Sequence, residues 1–296
     1  MGKPAGGAMP VEELAPAKIN LDLHVTGRRA DGYHELDSLT AFAAFGDRVA
    51  LHEHDRLELV LSGPFAGPLA AEPDNLVLRA ARRLAACAGR APAVRITLDK
   101  RLPVAAGLGG GSADAAAALR GLNRLWRLRM APADLAVLAA SLGADVPVCL
   151  AGRTARMRGV GERIEPWNGL PPLAVLLVNP NLPLATAAVF GALEAIGERV
   201  ERAWPPPRHA DAFVAWLRAG ANHLEAPAMR LLPQICDVLT GLAAQESCTL
   251  ARMSGSGATC FGLFASAAAR DAAAAAIGRA RPGWWLAATT IGQAVR

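Results

Sequence analysis

Four glycines fall within residues 107–111, and the chain leaves them directly into an alanine-rich stretch, Ser112 to Trp126. Glycine is costly inside a helix or strand and useful where the backbone must turn tightly or approach another group closely. The run Leu102-Pro103-Val104-Ala105-Ala106-Gly107-Leu108-Gly109-Gly110-Gly111-Ser112-Ala113 therefore predicts a loop that opens a helix. Such a loop can close backbone N–H groups on an anion, and the unpaired donors and partial positive charge of the helix start add to the attraction. The geometry suits a triphosphate. Ser112 stands as the helix N-cap, or turns its hydroxyl to a phosphate or a magnesium ion. From glycine content alone, a flexible turn with an ordinary serine cap is the competing reading. The loop is not a Walker A loop, because no Gly-Lys-Ser/Thr follows, and not G-x-G-x-x-G, because Ser112 occupies the third glycine position. The H-R-D and D-F-G signatures of protein kinases are absent from the sequence.

Ala93 to Leu98 reads as a strand before this loop, and Asn75 to Ala88 as a helix through Leu76, Arg79, Ala80 and Leu84. From Ala15 to about Pro64 the pattern is strand-like, with Ile19, Leu21, Leu23 and Val25 alternating with polar residues. Pro132 to Leu142 reads as a helix with Pro132 in its first turn and Gly143 as its stop, and Pro147 favours an extended Val146 after Asp145. Strand-like pieces at 151–158 and 162–166 precede a Gly- and Pro-rich stretch at 168–172, the best candidate boundary. Beyond it come a strand from Leu173 to Asn179, a helix at 185–198, a Pro-rich connection at 205–207, and helices near 210–219 and 226–243. Strands at 248–253 and 258–264, a helix at 266–279 and a strand at 284–291 complete the pattern. Without strict βαβ repetition this is an α+β chain. Its 296 residues divide into a flexible lead, 1–14, and two domains, 15–168 and 169–296.

No run of about 18 apolar residues is present to span a bilayer. Met1 to Pro10 has no apolar core of a secretory signal, so a cytoplasmic location is expected. Cys87, Cys149, Cys236, Cys248 and Cys260 are widely spaced in apolar sequence and read as reduced core residues. The net charge of +5 is spread along the chain, not clustered as in a nucleic-acid binder, so no nucleic-acid or membrane partner is expected. Of 31 basic residues only Lys3, Lys18 and Lys100 are lysines, so a lysine in an ordered segment points to use of its compact ammonium. His52 and His54 lie two apart with no third metal ligand at suitable spacing, and Arg153, Arg156 and Arg158 read as a solvated strand face.

The pattern P-x-x-x-G-L-G-G-G-S-A resembles the second motif of the GHMP small-molecule kinases, in which this loop cradles ATP. Ala15-Pro16-Ala17-Lys18-Ile19-Asn20-Leu21 followed by Gly32-Tyr33-His34-Glu35-Leu36 resembles their N-terminal signature. Ala251-Arg252-Met253-Ser254-Gly255-Ser256-Gly257-Ala258 is similar to the third motif, Leu142-Gly143-Ala144-Asp145-Val146-Pro147 to the stretch that carries their aspartate, and Asn222-His223-Leu224-Glu225 to a further segment. The likeness runs over roughly residues 15–290 and is strongest to members acting on a cytidine diphosphate-linked polyol. It implies a two-domain GHMP kinase fold with the active site in the cleft between domains, and transfer of the γ-phosphoryl group of ATP to an alcohol.

On a strand Lys18 and Asn20 share one face while Ile19 and Leu21 face the core. The resemblance makes Lys18 the catalytic cation and Asp145 the group beside the accepting hydroxyl. It assigns Lys100, Pro103, Gly107, Leu108, Gly109, Gly110, Gly111, Ser112 and Ala113 to ATP, and Asn20, Tyr33, His34, Thr186 and Phe190 to the second substrate. Tyr33, the only tyrosine, would stack on a pyrimidine, with Phe190 as a second aromatic; a structural tyrosine and a core helix phenylalanine are the alternatives. Ser254, Gly255, Ser256 and Gly257 form either a second backbone nest for phosphate or hydroxyl, or a plain β-turn. Magnesium is expected from ATP chemistry, with no ligand identified by spacing. Homoserine kinase and a ligand-binding regulator on the kinase fold are the competing functions. The pair Tyr33-His34 with Phe190 argues against the first, and Lys18 with Asp145 against the second.

Overall fold

The computed structural model describes residues 10–70, 74–196 and 202–292. In chain order they form β1 (Val11–Asn20), β2 (His24–Arg28), β3 (His34–Glu53), β4 (Leu57–Ser62), α1 (Leu76–Cys87), β5 (Val94–Asp99), α2 (Gly110–Leu125), α3 (Pro132–Ala140), α4 (Val146–Ala151), β6 (Ala155–Gly159), β7 (Arg163–Pro166), β8 (Leu173–Asn179), α5 (Thr186–Gly191), α6 (Ala210–Arg218), α7 (Glu225–Leu231), α8 (Gln234–Ala243), β9 (Cys248–Met253), β10 (Cys260–Phe264), α9 (Ala267–Ala280) and β11 (Trp285–Ile291). The chain is α+β, and its contacts gather into two compact units. The first comprises Met1–Ala15, Asp47–Arg101 and Gly111–Leu150; the second comprises Pro16–Gly46, Leu102–Gly110 and Ala151–Arg296. These units interleave along the chain and do not follow the linear division expected at 168/169. The covalent reason is that β1 and β3 each run on from one unit into the other, at 15/16 and 46/47.

In the first unit, residues 48–53 of β3 pair antiparallel with β5, and β5 pairs parallel with β4. Asn75 caps α1 by accepting the Val77 N–H at 2.9 Å, and Val77, Ala80, Ala81, Leu84 and Ala85 form its buried stripe at helical spacing. Helix α2 is buried on nearly every side through Ala113, Ala115 to Ala118, Leu119 and Leu122, which small alanine side chains permit. The flexible lead expected at 1–14 does not extend over residues 11–14. Residues 11–14 already belong to β1, because Arg120 bonds the Glu13 carboxylate and the Leu14 carbonyl and Arg124 the Glu12 carbonyl. Residues 1–9 lie outside the described residues.

In the second unit, residues 34–40 of β3 pair antiparallel with β2 and β6, and β6 with β7. A separate antiparallel sheet has the order β11-β8-β10-β9. Its strand β8 is covered on both faces. Leu173, Val175 and Leu177 pack with Ile19, Leu21, Leu108, Phe213 and Phe261, while Leu176 and Val178 pack with Val189, Ile235, Val238, Cys260 and Ile277. Burial on both faces is why Leu173–Asn179 reads as an unbroken apolar run.

Three local expectations change. The helix expected at 226–243 is two, α7 and α8, broken at Leu232-Pro233 where proline has no N–H for an inner turn. The helix expected at 185–198 ends at Gly191, with 197–198 outside the described residues. No disulfide joins the five cysteines, but only Cys149 and Cys260 are buried; Cys87 and Cys236 are exposed.

Candidate active site

The second unit gathers most of the residues singled out from the sequence. At the end of β1, Ile19 and Leu21 are fully buried in the core. On the other face Lys18 and Asn20 are each only 5% exposed, so this polar face is covered by protein. The glycine loop does part of the covering. The Lys18 N–H donates to the Leu108 carbonyl at 2.9 Å, and the Gly109 backbone lies so close that a Cβ there would meet the Lys18 stem at 3.2 Å. Asn20 is held at both ends: its N–H donates to Ser254 Oγ at 3.1 Å, and its amide to Ser38 Oγ at 2.8 Å.

Loop 102–110 and turn 254–257 pack backbone against backbone. Ser254 Oγ donates to the Gly107 carbonyl at 3.0 Å, and the Thr259 N–H to the Ala106 carbonyl at 3.2 Å. Gly107 has φ +73°, and a Cβ there would fall 2.3 Å from the Ser254 carbonyl oxygen and 2.8 Å from the Gly257 nitrogen. Gly255, at φ +56°, would place a Cβ 3.0 Å from the Gly107 oxygen. These contacts admit no side chain, which accounts for glycine in both segments. The turn links β9 to β10, and the Gly257 N–H closes it on the Ser254 carbonyl at 3.0 Å.

Ser256 Oγ lies 2.9 Å from the hydroxyl of Thr186, the first residue of α5. On the same helix Phe190 stacks on His34, with ring centroids 5.0 Å apart and planes at 24°. Partial burial, aided by Arg28, lowers the His34 pKa and favours its neutral ring. Tyr33 is 65% exposed in the turn between β2 and β3, its N–H bonded to the Asp31 carboxylate. The unit thus joins Lys18, Asn20, Gly107 to Gly109, Ser254 to Gly257 and Thr186 through direct contacts, and separately joins His34 to Phe190.

Sequence reasoning missed a polar layer in the same unit. Asp22, His24, Asp37, Leu39, Arg156, Arg202, Trp204 and Trp216 line a cavity of about 30 Å³. Arg156 forms a bidentate pair with Asp37 at 2.7 Å and lies over Trp204, so it departs from the solvated face expected for it; Arg153 and Arg158 are exposed. Arg202 pairs with Asp22 and lies over Trp216 at 3.8 Å. Burial lowers the His24 pKa against the opposing pull of Asp22. Also unforeseen, Asn222 and Glu225 bond the strand end and turn at 253–255; the Asn-His-Leu-Glu resemblance was their only signal.

The first unit carries the rest. Lys100, 3% exposed, donates to Asp114 at 2.7 Å and to Asp47, which are themselves 2% and 0% exposed. The two carboxylates together outweigh the burial penalty, so the Lys100 pKa is raised. Asp114 is pushed up to about 8, chiefly by burial and also by Asp47, although Lys100 opposes the shift. Helix α2 begins at Gly110, so Ser112 sits in its first turn and is not the N-cap. Asp145 is half-buried and directly precedes α4, with its carbonyl accepting the Cys149 N–H at 3.2 Å. Val146 is accordingly helical and not extended: Pro147 falls in the first turn of α4, where its missing N–H costs nothing. Among the described residues no three His, Cys, Asp or Glu side chains gather as a metal cage.

Two family models match, GHMP kinases N terminal domain over residues 75–153 and GHMP kinases C terminal over residues 208–282. A 4-diphosphocytidyl-2-C-methyl-D-erythritol kinase of Parvibaculum lavamentivorans is 51% identical over 286 residues, 96% of this chain and 99% of the relative. The enzyme of that name from Paracoccus denitrificans is 55% identical over 95% of this chain and 97% of its own. A crystal structure of 4-(cytidine 5'-diphospho)-2C-methyl-D-erythritol kinase, 39% identical, superposes with a TM-score of 0.78 over 95% of this chain and 99% of that one.

Proposed function

The chain belongs to the GHMP kinases and, within them, to the 4-diphosphocytidyl-2-C-methyl-D-erythritol kinase family, and from this premise we infer its reaction. It transfers the γ-phosphoryl group of ATP to the 2-hydroxyl of 4-diphosphocytidyl-2-C-methyl-D-erythritol, a step of the non-mevalonate route to isoprenoid precursors. The observation that carries the reading is the pair of glycine turns locked backbone to backbone beside the buried Lys18–Asn20 end of β1.

In the proposed mechanism Asp145 takes or orients the proton of the accepting hydroxyl, and Lys18 offsets charge on the transferring phosphoryl group. Phosphoryl transfer demands positioning and charge stabilisation more than covalent chemistry, and fixed backbone donors supply both without reorganising. Residues 107–113, with Pro103 and Lys100, are assigned to ATP, and Ser254 to Gly257 to the phosphoryl or hydroxyl end. The enclosed Lys100 reaches a nucleotide only if it leaves a carboxylate, so its part in that assignment is to brace the base of the loop. Asn20, His34, Thr186, Phe190 and Tyr33 are assigned to the cytidine substrate; the stacked His34–Phe190 pair supports a flat aromatic wall there. Magnesium, bound to the ATP phosphates, would supply charge neutralisation. The residues fit an ion that arrives with the nucleotide: Ser112 offers a hydroxyl, and no carboxylate cage stands among the described residues.

We keep 15–168 as the ATP-binding module and 169–296 as the C-terminal module, since the two family models fall on either side of 168. No described helix is long and apolar enough to cross a membrane, and we assign the enzyme to the cytoplasm, with a small-molecule clientele and no nucleic-acid partner. A coupled assay with ATP and the cytidine substrate, with homoserine and mevalonate as controls, tests the reading. Turnover of the cytidine substrate alone is expected; failure on all three would point to a regulator. Asp145→Asn should lower turnover by roughly 10²-fold or more and leave ATP binding by calorimetry nearly unchanged.

A further inference from the structure

We propose that Asn222 is a positioning residue for phosphoryl transfer, acting through the direction of the Ser256 N–H; the inference rests on the kinase reading above. Asn222 is 6% exposed, and its amide orientation is fixed from both sides. Its Oδ1 accepts the Leu224 N–H at 2.9 Å, so its Nδ2 must face the turn. That nitrogen donates to the Met253 and Gly255 carbonyls, both at 2.8 Å. A trans peptide is planar, with its carbonyl and the following N–H pointing in opposite directions. Holding the Gly255 carbonyl against Asn222 therefore aims the Ser256 N–H away from Asn222.

The neighbouring groups of the turn are already committed. The Ser254 N–H donates to the Thr259 carbonyl at 2.9 Å, and the Ser254 carbonyl accepts the Gly257 N–H, which fixes the peptide before Gly255. Glu225 accepts the Met253 N–H at 2.8 Å. Asn222 is anchored in its turn: the Leu23 N–H donates to Ala221 and the His223 N–H returns to Leu23, at 2.9 and 2.8 Å. The chain of bonds thus runs from Leu23, between β1 and β2, through Asn222, to the one peptide of the turn whose direction the turn's own hydrogen bonds do not set. Gly255 and Gly257 have φ +56° and +82° with Ser256 between them, the alternation that makes a concave backbone nest for an anion.

Asn222→Asp keeps the size and the bond to Leu224 but removes both donors and sets a carboxylate against two carbonyls. It should lower kcat by about 10- to 100-fold, the usual range for a lost outer support of a reacting group, with both Michaelis constants within about threefold. Leu242→Ala, a truncation in the core of the same unit, is the control; it should lower Tm and leave kcat nearly intact. If the aspartate variant does not fold, Asn222→Ser, which removes the donors without adding charge, is read by the same criteria. The proposal is overturned if kcat falls no further than in the Leu242→Ala control, or if the whole loss sits in the Michaelis constant for ATP. Wild-type protein that turns over neither substrate sinks the kinase reading instead, so the two failures are distinguishable.

Discussion

The interlocked glycine turns of the second unit and the Lys100–Asp47–Asp114 cluster of the first solve the same problem, holding a loop in place, by opposite means. The turns are held by neutral backbone contacts that a single Cβ would spoil. The cluster is held by charge in near-complete burial, where desolvation is paid on every ion and recovered only if all partners stay. A site built the first way is sensitive to volume and indifferent to pH, whereas one built the second way is sensitive to charge and tolerant of small changes in volume.

The sharpest way to break that contrast is Lys100→Met. It strands a buried carboxylate without its cation and should cost about 3–5 kcal/mol in a urea unfolding measurement at pH 7. Replacing Lys100, Asp47 and Asp114 together by apolar residues of similar volume should recover most of the loss, since no buried charge then remains. A loss below about 1 kcal/mol for the single change would mean that the cluster carries little of the stability.

Gly107→Ala probes the other side. The new methyl would meet the Ser254 oxygen at 2.3 Å with φ at +73°, so the two turns must separate. Strain at such a position is about 1–3 kcal/mol, and the deficit should be the same at pH 6 and pH 8 because no titrating group takes part. A pH-dependent deficit, or none, would contradict a purely steric lock.

What the sequence disclosed follows the same division. The glycine loop, the alternation of Lys18 and Asn20 with Ile19 and Leu21, and the elements around them are local patterns, legible from neighbours in the chain. The Asn222 amide meets carbonyls 31 and 33 positions away, and Lys100 meets Asp47 at a separation of 53, so neither leaves a local trace. Interleaving of the two units was hidden for the same reason: hydrophobic periodicity marks where β3 runs and not where along its length the partners change. A Ser112 N-cap and an extended Val146 both give way to helix because helix starts accept glycine and proline alike, so these residues do not fix the first helical position.

The smallest expected effect is a slope in stability with pH, which the Lys100 cluster has and the glycine turns lack. The Asp114 pKa is raised to about 8 in the folded protein, above the ordinary aspartate value of about 3.9 in an unfolded chain. Between those values the folded state holds a proton that the unfolded state has released. The stabilisation from Asp114 is therefore complete below about pH 4 and is lost as pH rises towards 8. The slope from one proton is at most about 1.4 kcal/mol per pH unit, so the step from pH 6 to pH 7 should cost on the order of 1 kcal/mol. His24 works the other way: its lowered pKa makes the unfolded chain the better proton acceptor, so its contribution is present above about pH 6.5 and is lost as pH falls below it. Asp114→Asn should remove the falling slope across the whole of pH 5 to 8, whereas His24→Gln should change the slope only below about pH 6.5. Urea midpoints taken every half unit from pH 5 to pH 8 measure both limbs. If Asp114→Asn leaves the alkaline limb as steep as before, the proton shared around Lys100 is not what sets it, and the charge-held region is no more pH-sensitive than the glycine-held one.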